Sequence, residues 1–213
     1  MTSSPSATLR GSCLCRRISF TARSLPWFVS YCHCTTCRKL SGNPFLTFGM
    51  FRNEHVTFSL RAHSSTGESS DDGDGERESV GEVEPAITGK DVEMSEYSDI
   101  AVRGFCSGCK MPLFMKYHKA PNDMHVCLGL VDSATSTDAE GHDAKEEIEG
   151  MMRKVPKEHI FLDEGGWGKG LLGGREGVDM HGRMGEEFEK SVRVWRDEGG
   201  ERRGDVAEGC PVW

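Results

Sequence analysis

Seven of the nine cysteines fall into three tight groups: Cys13-Leu14-Cys15, then Cys32-His33-Cys34 running on to Cys37, then Cys106-Ser107-Gly108-Cys109. Side chains alternate along an extended chain, so a C-x-C puts both sulfurs on one face. A C-x-x-C on a tight turn brings two sulfurs to one point, and Gly108 eases such a turn. Cys13, Cys15, Cys106 and Cys109 together supply four thiolates, the complement of a closed tetrahedral zinc site. Zinc accepts soft sulfur ligands and has no electronic demand against tetrahedral S4, whereas the cysteine runs typical of iron–sulfur clusters are absent. The middle group differs. Cys32, Cys34 and Cys37 overlap a C-x-C with a C-x-x-C, and three protein ligands leave a fourth position for water or substrate, the pattern of a catalytic zinc. A second structural site would instead need a distant fourth ligand, such as His33, His55, His118 or His125. Of these, His33 stands between two ligands and points away. Spacing leaves the pairing open, since Cys13 and Cys15 could instead join Cys34 and Cys37.

Composition narrows the setting. The chain has 213 residues and a formal net charge of −8, which argues against a nucleic-acid binder working by bulk electrostatics. Ser64 to Glu96 holds 11 acidic and 2 basic residues, and removing them from the totals of 34 and 26 leaves 23 and 24. The acidity therefore belongs to one segment. No apolar run approaches the roughly 18 residues of a membrane helix, and "MTSSPSATLRGSC" lacks the apolar centre of a secretory signal. A cytoplasmic setting is expected, the nucleus being equally compatible, and there an odd number of cysteines reads as ligands or reactive thiols before disulfides.

The elements that must carry these cysteines are mainly β. "RRISFTA", "WFVSY", "PFLTFGMF", "HVTFSL", "IAVRGF", "PLFMKY" and "MHVCLGLV" are rich in β-branched and aromatic residues. Two insertions interrupt them, at about 63–96 and 133–154. The first is Gly-, Ser- and acid-rich and predicts a disordered segment; the "DAKEEIEGMMRK" part of the second could form a short exposed helix. After Trp167 the chain is Gly-rich. Within it Met184, Phe188, Val192 and Trp195 share one helical face, predicting a short C-terminal helix that packs loosely or docks on the domain or a protein partner. The expected organisation is a zinc domain over 9–170 and a tail over 171–213.

The order "GSCLC", "CHCTTCRKLSG" and "RGFCSGCKMPLF" resembles the glutathione-dependent formaldehyde-activating enzyme family, which shares a domain with centromere protein V. "LGLVDS" and "VPKEHIF" with Trp167 resemble its later segments, so the likeness runs from about Leu9 to Trp167 apart from the insertions. The resemblance implies an Mss4-like β-tent fold with two zinc ions. It implies a structural zinc on Cys13, Cys15, Cys106 and Cys109, and a catalytic zinc on Cys32, Cys34 and Cys37. The reaction it implies joins formaldehyde to glutathione, formally a carbon–sulfur lyase run in reverse. Lys110 and Met111 replace the Gly and Ser common in the family after the last cysteine pair.

The first expectation is thus a zinc-dependent carbon–sulfur lyase acting on a small-molecule thiol such as glutathione. Arg38, Lys39, Arg52 and Arg103 are candidates to meet that thiol's carboxylates. A zinc-stabilised protein-interaction module is the alternative, and a thiol redox or metal-buffering protein a third. Cys127 and Cys210 are assigned no role.

Overall fold

The computed structural model describes residues 7–60, 90–136, 144–165 and 179–200. Most of the acidic insertion, Trp167 and Cys210 lie outside the described residues. Two sheets make up the fold, which is mainly β as the sequence predicts. The first contains β1 (Ala7–Ser12), β2 (Ile18–Ala22), β5 (Val56–Leu60) and β10 (Val131–Ser136), in the order β10-β1-β2-β5. The second runs β12-β11-β3-β4-β9-β8-β7-β6. Its strands are β3 (Phe28–Cys32), β4 (Leu46–Arg52), β6 (Val92–Ser98), β7 (Ala101–Cys106), β8 (Pro112–Tyr117), β9 (Asp123–Cys127), β11 (Lys157–Ile160) and β12 (Asp179–Met180). All pairings are antiparallel except β11 with β3 and with β12.

The chain changes sheet twice through short 3-10 turns, at Asn53–His55 between β4 and β5 and at Leu128–Leu130 between β9 and β10. "MHVCLGLV", which reads as one strand, is therefore split between the sheets. Where the sheets face each other, Phe58 stands 5.9 Å from Phe20 and 5.4 Å from Phe114, ring centre to ring centre. Burying each such ring contributes roughly 1.5–3 kcal/mol. Gly104 is required here, because a Cβ on it would stand 2.5 Å from the Phe114 ring.

The insertion boundaries shift. Val92–Ser98, which overlaps the end of the first expected insertion, is β6 and pairs with β7; Val131–Ser136, which overlaps the start of the second, is β10 and pairs with β1. The "DAKEEIEGMMRK" helix is α2 (Ala144–Lys154), and it is not freely exposed: Ile148 is buried and Met151 and Met152 pack on the core.

The C-terminal helix forms as α3 (Glu186–Asp197), and it docks on the domain. Phe188 lies 4.8 Å from the Tyr117 ring, Val192 is buried, and Trp195 stacks over His118 at 6.3 Å. Arg196 grips Asp99 with two hydrogen bonds of 2.9 and 2.8 Å. Three acidic residues in its first turn and Arg196 in its last complement the helix dipole.

Candidate metal centres

Each cysteine group sits where an element ends. Cys13 and Cys15 occupy the turn from β1 to β2; Cys106 closes β7 and Cys109 lies in the turn to β8. The two turns share a construction. Arg16 and Lys110, each directly after the second cysteine, adopt left-handed backbone at φ 60°, which turns the chain back beside the cysteine pair. The N–H of Arg16 bonds the Cys13 carbonyl and the N–H of Lys110 the Cys106 carbonyl, both at 2.8 Å.

The four sulfurs lie within 4.8 Å of one another, although the pairs are separated by more than 90 residues. Cys13 Sγ is 3.5 Å from Cys15 Sγ, which is 3.6 Å from Cys106 Sγ. A zinc–sulfur bond of about 2.3 Å gives tetrahedral edges of about 3.8 Å, so the thiols fit such an ion. Burial raises the Cys13 pKa, and the Ile18 N–H, donating to Cys13 Sγ at 3.4 Å, opposes that rise. Against the burial that raises it, the Met111 and Cys15 N–H groups bring Cys109 down to about 6. Burial pushes Cys106 up to about 12.

Left-handed backbone costs a β-carbon-bearing residue roughly 1–2 kcal/mol, partly offset in glycine by its greater unfolded-state freedom. Lys110→Gly is therefore expected to raise stability by about 1 kcal/mol, read as the urea midpoint of the metal-loaded protein. The exposed Lys110–Glu93 pair at 2.6 Å is worth less than that.

The second group spans a strand-to-helix turn. Cys32 ends β3, Cys34 is the N-cap of α1 (Thr35–Ser41), and Cys37 lies within that helix. Cys34 Sγ accepts the Cys37 N–H at 3.4 Å, and Gly42 ends the helix at φ 67° by donating to the Arg38 carbonyl. All three sulfurs lie within 4.8 Å of one another. Cys32 and Cys37 are buried and Cys34 is half-buried. Hydrogen bonds from Cys32 and Cys37 bring Cys34 down to about 2, and the same contacts push Cys32 up.

Among the described residues, no histidine, cysteine or carboxylate adds a donor atom to this group. The four histidines that could have done so are elsewhere. His33 turns away and meets His159, Nε2 to Nδ1 at 2.8 Å; His55 bonds Ser24; His118 faces Glu96; His125 packs against Phe48 and Tyr117.

Of the four candidate cations, Arg38 is structural, donating to the His33 carbonyl at 3.1 Å and the Glu164 carbonyl at 2.7 Å. Arg52 is held by Asp123 at 2.6 Å, and Lys39 is exposed on α1. Arg103 is different. It is 7 % exposed, its Nε and Nη1 have no hydrogen-bond partner, and its charge reaches Cys34, Cys37 and Tyr117.

A family model described as glutathione-dependent formaldehyde-activating enzyme matches residues 8–146, more than half of the chain, and includes all seven clustered cysteines. The chain belongs to this glutathione-dependent formaldehyde-activating enzyme family. No curated protein matches it. The chain is similar to the crystal structure of a Rhodobacter sphaeroides protein at 13% identity and a TM-score of 0.38, covering 70% of this chain and 99% of that one. The match to the glutathione-dependent formaldehyde-activating family ends before β11, β12 and α3, which are nonetheless part of the same sheet and its cover.

Sequence reasoning missed β11, whose neighbours matter to the thiol site. Ile160 pairs directly with Cys32, and His159 stacks on Tyr31 at 4.6 Å. The signal available was the "VPKEHIF" likeness alone. No helix of the described residues is long and apolar enough to cross a membrane.

Proposed function

We propose that this protein is a zinc-dependent carbon–sulfur lyase that interconverts formaldehyde, a thiol and their S-hydroxymethyl adduct. Glutathione is the thiol that the family implies. The observation that carries this reading is the three-sulfur group with no further donor among the described residues. Cys13, Cys15, Cys106 and Cys109 would hold a structural zinc, and Cys32, Cys34 and Cys37 a catalytic one. When bound at the second group, zinc supplies positive charge that lowers the pKa of a ligating thiol, giving a thiolate near neutral pH.

The residues around the second group suit the addition. The thiol's sulfur lone pair forms the C–S bond, the carbonyl π pair moves onto oxygen, and that oxygen takes up the proton the thiol released. Neither an oxidant nor a reductant is needed. Arg103 offers unpartnered N–H groups beside the thiols, where a developing alkoxide would be stabilised in a dry environment. Tyr117 holds its proton, because burial pushes its pKa up. Arg38 ties the Cys32–Cys37 turn to a distant segment by bonding the His33 carbonyl within it and the Glu164 carbonyl beyond it. Free thiols at every described cysteine suit a reducing compartment such as the cytoplasm.

The test is NMR exchange between formaldehyde, glutathione and their adduct, with and without the zinc-loaded protein. Acceleration supports the lyase. No acceleration in protein carrying both metal ions would favour the interaction module.

Arg103→Met keeps most of the side-chain volume and removes the donors. The expected result is a fall in exchange rate of about 10²-fold with both metals retained. An unchanged rate would remove Arg103 from the chemistry, and loss of metal would make it a counter-charge for the thiolates.

A further inference from the structure

The register of the larger sheet lays out what surrounds the three-sulfur group. Residues paired directly across strands share a face. Cys32 pairs with Leu46 and Ile160, Ser30 with Phe48 and Glu158, and Phe28 with Met50, which pairs with His125. Cys32, Ser30 and Phe28 therefore descend one face of β3, and Ile160, Glu158, Met50 and His125 stand beside them. The opposite face packs on the smaller sheet through Phe114. The thiol-bearing face is instead covered by the start of α3.

Between that face and its cover lies a cleft of about 500 Å³. Its walls include Phe28, Met50 and Ile160 from the sheet, and Met184 and Phe188 from the cover. It approaches the thiols through their neighbours rather than through the cysteines themselves: Ile160 lines it and is the direct strand partner of Cys32, and Tyr117 lines it and lies within electrostatic reach of all three sulfurs. Formaldehyde needs no such space.

The polar inventory is as telling as the apolar walls. Among the described residues, the charged ones lining the cleft are Glu158, Glu186 and Glu187, and none is a lysine or arginine. Two cations touch its outer residues, Arg52 over Trp27 and Lys119 over Phe188, but neither lines it, and Arg52 is engaged by Asp123. A free carboxylate entering this space would meet like charge and apolar surface. The hydrogen-bonding group deepest in the wall is His125, 2 % exposed, with Nδ1 lacking a partner. Burial holds its ring neutral, bringing its pKa down to about 3.

Building on the lyase reading above, we infer that this cleft takes an uncharged, apolar organic body attached to the reacting S–C–O centre, and that the cover from Met184 to Phe188 sets that preference. The family match stops at residue 146, and the cover from Met184 to Phe188 lies beyond both that match and the likeness that runs to Trp167. The apolar body can be carried by the thiol or by the aldehyde.

Two series separate those sources. With formaldehyde fixed, benzyl mercaptan is compared with glutathione; with glutathione fixed, benzaldehyde is compared with formaldehyde. Each rate is expressed as acceleration over uncatalysed exchange. At least one aromatic partner is expected to be accelerated ten-fold or more beyond the glutathione–formaldehyde pair, and the series that responds identifies the carrier. Met184→Glu is expected to cut that gain at least ten-fold relative to glutathione–formaldehyde exchange, with metal content unchanged.

Binding is read independently with benzyl methyl sulfide, which cannot react, by the NMR shift of the Met50 methyl group. A saturable shift that Met184→Glu weakens ten-fold is expected. If glutathione–formaldehyde exchange is accelerated but neither aromatic series gains, the inference fails and the lyase stands. A Met50 shift without exchange of any pair sinks the lyase and leaves the cleft's preference standing. No shift of Met50 overturns the inference whatever the kinetics.

Discussion

Cys34→Ser is expected to cut the acceleration of formaldehyde–thiol exchange at least about 100-fold and to release one of two metal ions per chain. Cys34 is the least buried of its group, and its loss leaves two sulfurs where three could hold an ion. The fold should survive, because Cys34 is the N-cap of α1 and serine is among the best N-cap residues. Its hydroxyl can accept the Cys37 N–H that the sulfur now accepts. The measurement is exchange NMR alongside metal analysis and far-UV circular dichroism. Full acceleration in a variant that has lost the second metal would show that the chemistry lies elsewhere.

Cys106→Ser acts on the other centre and is expected to cost stability rather than rate. The four sulfurs join the β1–β2 turn of the smaller sheet to the β7–β8 turn of the larger one. Structural zinc contributes roughly 10–16 kcal/mol in small zinc-finger peptides, as much as or more than the 5–15 kcal/mol that whole domains typically have to lose. Even a partial loss of about 5 kcal/mol would lower the melting temperature by about 10–20 °C at this chain length. A strong chelator should produce the same drop in the unaltered protein and no further drop in Cys106→Ser. The comparison also separates the two centres, since Cys34→Ser should melt close to the parent. A Cys106→Ser protein that melts with the parent would leave the four-sulfur group without a structural role.

The contrast between these two variants rests on how each centre is built. The three-sulfur group is local: six residues of a strand-to-helix turn bring it together, and the Cys32–Cys37 spacing already implies it. The four-sulfur group is long-range. Its two turns are each legible, but their meeting depends on the sheets lying one over the other, with Phe58 between Phe20 and Phe114. From spacing, Cys13 and Cys15 could have joined Cys34 and Cys37; family likeness pointed to Cys106 and Cys109, and the geometry brings those four together.

Several strands were invisible to side-chain pattern for a physical reason. β1 reads "ATLRGS" and β10 "VDSATS", small and polar stretches with little strand preference of their own. They are strands because each supplies the other's backbone hydrogen bonds along one sheet. β11 reads "KEHI" and joins β3 in parallel, a pairing that nothing nearby in the chain can announce. By contrast β4, β7 and β8 are dense in apolar and aromatic residues, and their composition suffices.

What the amino-acid sequence determined by itself is therefore the local chemistry: which sulfurs come in pairs, which come in a three, that the chain is mainly β, and that Phe188, Val192 and Trp195 form one apolar stripe, while Met184, expected on the same helical face, precedes the helix. These depend on backbone geometry over a few residues, which alternation and helical period report directly. Only the tertiary structure decided what that stripe covers. Register across β11, β3, β4, β9 and β8 puts Cys32, Tyr117 and His125 on one face, and the docking of α3 roofs it. Such placement depends on hydrogen-bond pairing between segments far apart in the chain. A one-residue slip in any of those strands would turn its side chains to the other face, and no local pattern records which register is chosen.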